Sequence, residues 1–240
     1  MTNPPDHARL RQDALRLVGG AVAVYVFLAG TGLLVTRVLV DGPVGRWDRN
    51  LSHWFFERRT SQLNDWTHVG SMLSDTPVAI AVTAVLVIGL RLWLGRWRES
   101  AAILLSIAGE LTIFVLVTAT VHRQRPTVRH LDPAPPTSSF PSGHVGAAVA
   151  LYVGLAVTVL LVTRGSAGRA AFVAAALLLC LLPVMVGLSR IYRGMHFPTD
   201  VIAGALAGGL WMAVVMSTLL RDRGTRTTGA RVPLPGGRDA

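Results

Sequence analysis

The sequence predicts an all-α protein, namely a bundle of six transmembrane helices with an interfacial amphipathic helix between the first and second spans. Of the 240 residues, 51% are hydrophobic and only 15% are charged, whereas a soluble domain carries about 25% charged residues. A membrane-spanning helix needs roughly 20 apolar residues, and the apolar residues here fall into six runs of about that length. Because backbone groups in lipid must be hydrogen-bonded within the segment, runs of this length are helices.

The six predicted spans cover residues 17–38, 77–94, 101–121, 143–163, 170–188 and 200–220. The polar segment before the first span resembles the start of a secretory signal. Its apolar run exceeds 20 residues, however, and no small-x-small cleavage pattern follows, so we interpret it as a retained anchor. The predicted organisation is therefore a cytoplasmic segment 1–16, a six-span domain 17–220 and a tail 221–240, whose Gly, Pro and Arg content is typical of disorder.

Residues 43–59, between the first two spans, have the pattern of an amphipathic helix. Pro43 suits a first helical turn, and arginines alternate with apolar residues at helical spacing. The apolar positions are Val44, Trp47, Leu51, Trp54 and Phe55. We predict a helix that lies in the membrane interface, where it serves either as an anchor, which the pattern favours, or as one wall of a path for lipids.

The positive charge of the chain is spread along its whole length. The formal net charge is +10, and all 23 basic residues are arginine. They are scattered between the apolar runs and form no single patch, which argues against nucleic acid as a partner.

The distribution of arginines between the loops predicts the topology. Six spans place both termini on one side of the membrane. The termini and even loops hold thirteen arginines, and the odd loops hold ten. The positive-inside rule therefore predicts cytoplasmic termini in a bacterial plasma membrane, with the odd loops outside.

Two odd loops, 122–144 and 189–200, carry residues suited to phosphoryl chemistry and reach the same membrane face. A transferring phosphoryl group spreads negative charge over its oxygens, which arginine forks and the N–H groups of a helix start can bind. A histidine can attack phosphorus while another protonates the leaving oxygen. We predict no metal and no other cofactor, because the neighbouring arginines would repel a cation. The residues concerned are Arg125, Ser142, Gly143, His144, Arg190, His196 and Asp200.

In this pattern the sequence resembles the type 2 phosphatidic acid phosphatase family, which shares its site with vanadium haloperoxidases. The family motifs are K-x6-RP, PSGH and SR-x5-H-x3-D. The second is present at residues 141–144, and the third begins at Ser189 and continues through His196 to Asp200. The first is present only in its second half, Arg125-Pro126.

The resemblance implies a membrane-embedded, metal-independent phosphatase that acts on a lipid phosphate or diphosphate through a phosphohistidine. His196 would be the nucleophile, Asp200 would orient it, and His144 would be the general acid and then the base that activates water. Phosphate oxygens would be held by Arg125, Ser142, Gly143 N–H and Arg190. Polyprenyl diphosphates and phosphatidate-like lipids are the leading substrates. A lipid phosphotransferase and a non-catalytic family member remain as alternatives.

The motif lysine of the family falls at Thr118, so one phosphate contact is missing. We expect Arg123 to replace it; His122 and Arg193 are the other nearby candidates. Asp132, in the same loop, is predicted to be solvated.

Two features inside the spans have more than one interpretation. Glu110 lies in the middle of the third span, where an acid has either a buried packing or hydrogen-bonding role or a role at the site. Gly204-x-x-x-Gly208 in the last span predicts close helix packing, which we expect within the chain and not at a dimer face.

Overall fold

The computed structural model describes residues 4–220, and over this range the chain is all-helical, which confirms the predicted fold class. The helices are α1 (Pro4–Arg37), α2 (Pro43–Glu57), α3 (Ser61–Met72), α4 (Thr76–Leu94), α5 (Arg98–Thr120), α6 (Gly143–Ala148), α7 (Gly154–Val162), α8 (Arg169–Tyr192) and α9 (Pro198–Leu219). A π-helical turn, Val149–Val153, joins α6 to α7, so these pieces form one continuous span.

Within the described residues, six helical segments are long and apolar enough to cross a membrane: α1, α4, α5, α8, α9 and the continuous segment from α6 to α7. They agree with the predicted spans to within a few residues at most ends. The first differs, because α1 begins at Pro4 and so includes most of the predicted segment 1–16. α4 ends where Gly95 adopts a φ of 69°, a left-handed conformation that glycine tolerates best. The predicted tail, 221–240, lies outside the described residues.

Two short helices connect α1 to α4. α2 occupies the segment predicted to be an amphipathic helix, but α3 was not predicted, because its few apolar residues give no clear helical periodicity. Thr60 caps α3 by accepting a hydrogen bond from Leu63 N at 3.2 Å. α3 packs along α8, where Asn64 Oδ1 accepts a hydrogen bond from the Tyr192 hydroxyl at 3.0 Å. Tertiary contact therefore holds α3 beside the third sequence motif.

α9 lies at the centre of the bundle, in contact with α1, α5 and α6. A Cβ atom at Gly204 would overlap the Ser142 carbonyl, and one at Gly208 would overlap the Gly146 carbonyl. The glycine pair is therefore a packing motif within the chain, as predicted. In addition, Ser142 N donates to the Asp200 carbonyl at 2.9 Å. These contacts fix the start of α6 against the first turn of α9, and so bring the second and third motifs together.

Candidate active site

A cavity of about 720 Å³ opens at the end of the bundle where the two motif-bearing loops meet. Its wall includes five of the predicted site residues: Arg125, Gly143, His144, Arg190 and His196. Ser142 and Asp200 lie behind this wall and are fully buried. The structure thus brings the predicted residues to one site, with the exception of Arg123, described below.

His196 is buried, and its two ring nitrogens have different partners. Nδ1 lies 2.7 Å from the Ser139 carbonyl oxygen. Because a carbonyl can only accept, Nδ1 carries the hydrogen and Nε2 keeps its lone pair. Burial lowers the pKa of His196 well below its ordinary value of 6.5, and the positive charges of Arg190 and Arg125 lower it further. The ring is therefore neutral at pH 7, with an unprotonated nitrogen available at Nε2.

Asp200 does not hydrogen-bond to His196, since its Oδ2 lies 3.9 Å from Nδ1. The same oxygen accepts a hydrogen bond from the Ser139 hydroxyl at 2.5 Å and another from Phe197 N at 2.9 Å. Ser139 therefore connects the two residues, because its hydroxyl binds the carboxylate while its carbonyl binds the ring. In this geometry the Asp200 carboxylate reaches the His196 ring only through Ser139, and not directly as expected. The contact from Ser139 to the ring uses a backbone carbonyl and so carries no sequence signal.

The expectation that Arg123 contacts phosphate does not hold in this geometry. The Arg123 side chain is buried, and Nη1 donates to Asp200 Oδ1 at 2.5 Å while Nη2 donates to Asp48 Oδ2 at 2.7 Å. The residue is absent from the cavity wall. Two buried carboxylates require a cation, and Arg123 supplies it. Thr118, His122 and Arg193 do not line the cavity either.

The ion pair with Arg123 also gives α2 a role at the site. Asp48 is buried on α2 and accepts hydrogen bonds from Thr199 N at 3.1 Å and Thr199 Oγ1 at 2.6 Å. Thr199 lies in the first turn of α9. α2 therefore supplies a carboxylate that supports the start of α9, next to Asp200.

Arg125 and Arg190 both line the cavity, and each has a buried donor without a partner in the described part of the chain. Arg125 Nη1 donates to the Met195 carbonyl at 2.7 Å and lies 3.5 Å from His196 Nε2. Arg190 Nη1 donates to Ser71 Oγ at 2.7 Å. The Nε atoms of both arginines are buried and have no hydrogen-bond partner among residues 4–220. Because an unpaired buried donor is costly, these two N–H groups suit an anion in the cavity.

Arg125 and Arg190 differ in the carboxylates that lie near their guanidinium groups. Burial lowers the pKa of Arg125 from its ordinary value, although the Asp200 carboxylate opposes this. Arg190 instead has a carboxylate at its own guanidinium, since Nη1 lies 3.0 Å from Asp132 Oδ2.

The prediction that Asp132 is solvated is wrong. Besides Arg190, its carboxylate binds Arg193 at 2.8 Å and 2.5 Å. Burial alone would raise the pKa of Asp132, but Arg193 and Arg190 outweigh it and lower that pKa. Asp132 therefore holds the loop 122–142 against the end of α8.

His144 has a partner that the sequence analysis missed. Its Nε2 lies 2.7 Å from Asp75 Oδ1, so Nε2–H donates to the carboxylate. Asp75 is the N-cap residue of α4 and precedes a proline in the first turn. An Asp before a Pro-containing helix start is a recognised signal. The second span starts in an odd loop, so this signal would have placed the carboxylate on the same membrane face as the histidines.

The cavity continues past this polar end into an apolar part lined by α4 and α5, including Ile80, Ile107, Leu111 and Phe114. Glu110 lies among these residues. Within residues 4–220, no group of three or more His, Cys, Asp and Glu side chains is arranged to hold a metal ion.

Comparison with known proteins adds the following. The family model of the PAP2 superfamily matches residues 99–223. The fold resembles that of the transmembrane PAP2 type phosphatidylglycerolphosphate phosphatase from Bacillus subtilis, with a TM-score of 0.71, 21% identity, and coverage of 88% of this chain and 100% of that one. It also resembles LpxE from Aquifex aeolicus, with a TM-score of 0.55, 24% identity, and coverage of 70% and 93%. No curated protein matches the sequence.

Proposed function

The chain belongs to the PAP2 superfamily, and on this premise we propose that it is a membrane-embedded, metal-independent phosphatase that hydrolyses a lipid phosphate or diphosphate through a phosphohistidine. The observation that carries the proposal is the unprotonated Nε2 of His196. It shares a cavity with two arginines whose Nε–H groups have no partner in the described part of the chain.

In the first half-reaction, the lone pair of His196 Nε2 attacks phosphorus and the bond from phosphorus to the lipid oxygen breaks. The Nδ1–H bond to Ser139 keeps the ring in the tautomer that leaves Nε2 free. The negative charge on the phosphoryl oxygens is stabilised by Arg125, Arg190 and the N–H of Gly143 at the start of α6. Ser142 lies behind the cavity wall, so in this geometry it supports the start of α6 through its backbone hydrogen bond to Asp200 and does not itself contact the phosphate.

The leaving lipid oxygen takes a proton from His144. In a protonated imidazole both nitrogens are donors, so Nε2–H can stay on Asp75 while Nδ1–H serves the leaving group. In the second half-reaction, His144 accepts a proton from water, the resulting hydroxide attacks phosphorus, and the bond from phosphorus to His196 breaks. Inorganic phosphate is released, and both histidines return to their starting states.

A lipid substrate fits the shape of the cavity. The polar end holds the arginines and histidines, whereas the adjoining wall is apolar. The phosphate head group of the substrate would lie at the polar end, and its hydrocarbon chain would lie along the apolar wall. Arginine counts favour the outer face of a bacterial plasma membrane for this site, with both termini in the cytoplasm.

The test uses the full-length protein in detergent with lipid phosphates and diphosphates, and measures released phosphate. We expect turnover in wild type, none in His196→Ala, and wild-type rates in His53→Ala, which alters an exposed histidine of α2. When turnover of a lipid substrate with a radiolabelled phosphate group is quenched rapidly without acid, wild type should carry the label on a histidine. His196→Ala should carry none. Turnover should survive EDTA.

Three results would contradict parts of the proposal. Activity that disappears in EDTA would point to a metal enzyme. Label transfer to an added acceptor lipid without phosphate release would indicate a phosphotransferase. A folded protein that forms no labelled histidine with any lipid phosphate would indicate a non-catalytic member of the family.

A further inference from the structure

Glu110 is a buried acid that the phosphatase mechanism does not use. Its side chain lies in the middle of α5, is 3% exposed and forms part of the cavity wall. Oε1 has no hydrogen-bond partner within residues 4–220. Oε1 lies against Gly146 of α6, whereas Glu110 as a residue lines the cavity. A polar group buried in a membrane without a partner is unfavourable, so a ligand in the cavity could supply the hydrogen bond that the carboxyl lacks.

The depth of Glu110 follows from its neighbours on α6. A Cβ atom at Gly143 would meet the Phe114 ring at 2.8 Å, and one at Gly146 would overlap Glu110 Oε1. α5 and α6 therefore run antiparallel here. Four residues of helix separate Phe114 from Glu110, which is about 6 Å along the axis. The carboxyl thus lies roughly one helical turn deeper than Gly143, where the phosphate is expected.

The surroundings of the carboxyl are apolar. The neighbouring wall positions on α5 are Ile107, Leu111 and Phe114, and Ala147 faces them from α6. A substrate whose phosphate occupies the polar end must therefore pass Glu110 with the part of the molecule directly below the phosphate. The chemistry of that part decides whether the carboxyl gains a hydrogen bond or stays unpaired.

On the basis of the proposed function, we propose that Glu110 selects glycerophosphate lipids over polyprenyl phosphates. The glycerol unit next to the phosphate carries ester oxygens, which can accept a hydrogen bond from the protonated carboxyl, or hydroxyl groups, which can also donate to it. A polyprenyl chain offers only carbon and hydrogen beyond its phosphate ester oxygen, so the carboxyl would be desolvated without a partner. A site with a buried polar group discriminates strongly against ligands that cannot pair with it.

The experiment compares kcat/KM for phosphatidate and a polyprenyl phosphate in mixed micelles, using wild type, Glu110→Leu, Glu110→Gln and the matched control Leu111→Ala. We expect wild type to prefer phosphatidate and Glu110→Leu to reduce that preference about tenfold or more. Glutamine should largely keep the preference, because its amide still donates and accepts. Leu111→Ala changes only the apolar wall and should affect both lipids alike.

Binding gives a second measurement that does not need a folded Glu110 variant. His196→Ala, which retains Glu110, should bind phosphatidate more tightly than polyprenyl phosphate of comparable chain length. Equal binding, a wild-type preference for polyprenyl phosphate, equal losses for both lipids in Glu110→Leu, or loss of preference in Glu110→Gln would each overturn the proposal. The phosphatase assignment would survive any of these, because it requires hydrolysis of a lipid phosphate by wild type and does not depend on which lipid is preferred.

Discussion

Replacing Arg123 with methionine removes the cation that binds Asp48 and Asp200 at 2.7 Å and 2.5 Å. Both carboxylates are buried, so they lose their partner without gaining water. Breaking a buried ion pair in this way costs about 3–5 kcal/mol. For a chain of this length, each kcal/mol shifts the melting temperature by about 2–4 °C. The expected loss is therefore roughly 6–20 °C.

The assay is thermal unfolding of the detergent-solubilised protein, combined with lipid phosphate hydrolysis well below the new midpoint. Arg129→Met is the matched control, because Arg129 is an exposed arginine of the same loop, and its midpoint should stay within a few degrees of wild type. Since Arg123 is absent from the cavity wall, KM of the folded variant should change by less than about threefold.

The two interpretations of Arg123 give opposite results. If Arg123 held phosphate, as the missing motif lysine led us to expect, the variant would keep its stability and KM would rise. A midpoint unchanged from wild type together with a large increase in KM would refute the assignment of Arg123 to the ion-pair network.

Three further predictions concern the site. Asp75→Ala removes the partner of His144 Nε2, so kcat should fall about tenfold or more while KM changes little. Asp65→Ala on α3 is the control, and an unchanged kcat in Asp75→Ala would contradict the role of Asp75 as the partner of the general acid. Because the pKa of His196 lies well below 6.5 and protonation would occupy Nε2, kcat/KM should fall on the acid side only below pH 6.5; an acid limb at or above 6.5 would be inconsistent with a buried, neutral His196. Thr118→Lys should leave phosphate affinity within about twofold of wild type, since position 118 does not line the cavity; a clear decrease in KM would show that a lysine there reaches the site.

The features that the sequence analysis missed all depend on tertiary contacts. α3 was not predicted because its helix depends on contact with α8, which a local pattern does not record. The role of Ser139 depends on a carbonyl that every residue has. Asp132 was expected to be solvated because its loop is polar, whereas two arginines near the end of α8 fold back onto it.

The sequence by itself determined the six spans, the shared face of the two motif loops and the identity of the histidines. These features depend on the length of apolar runs, on odd or even loop number and on residue spacing, all of which are properties of the linear chain. Only the tertiary structure decided which polar groups pair. Arg123 and Arg125 are two residues apart, yet one neutralises buried carboxylates and the other lines the cavity. A long guanidinium side chain binds whichever carboxylates the packed helices bring within reach, and that depends on three-dimensional packing.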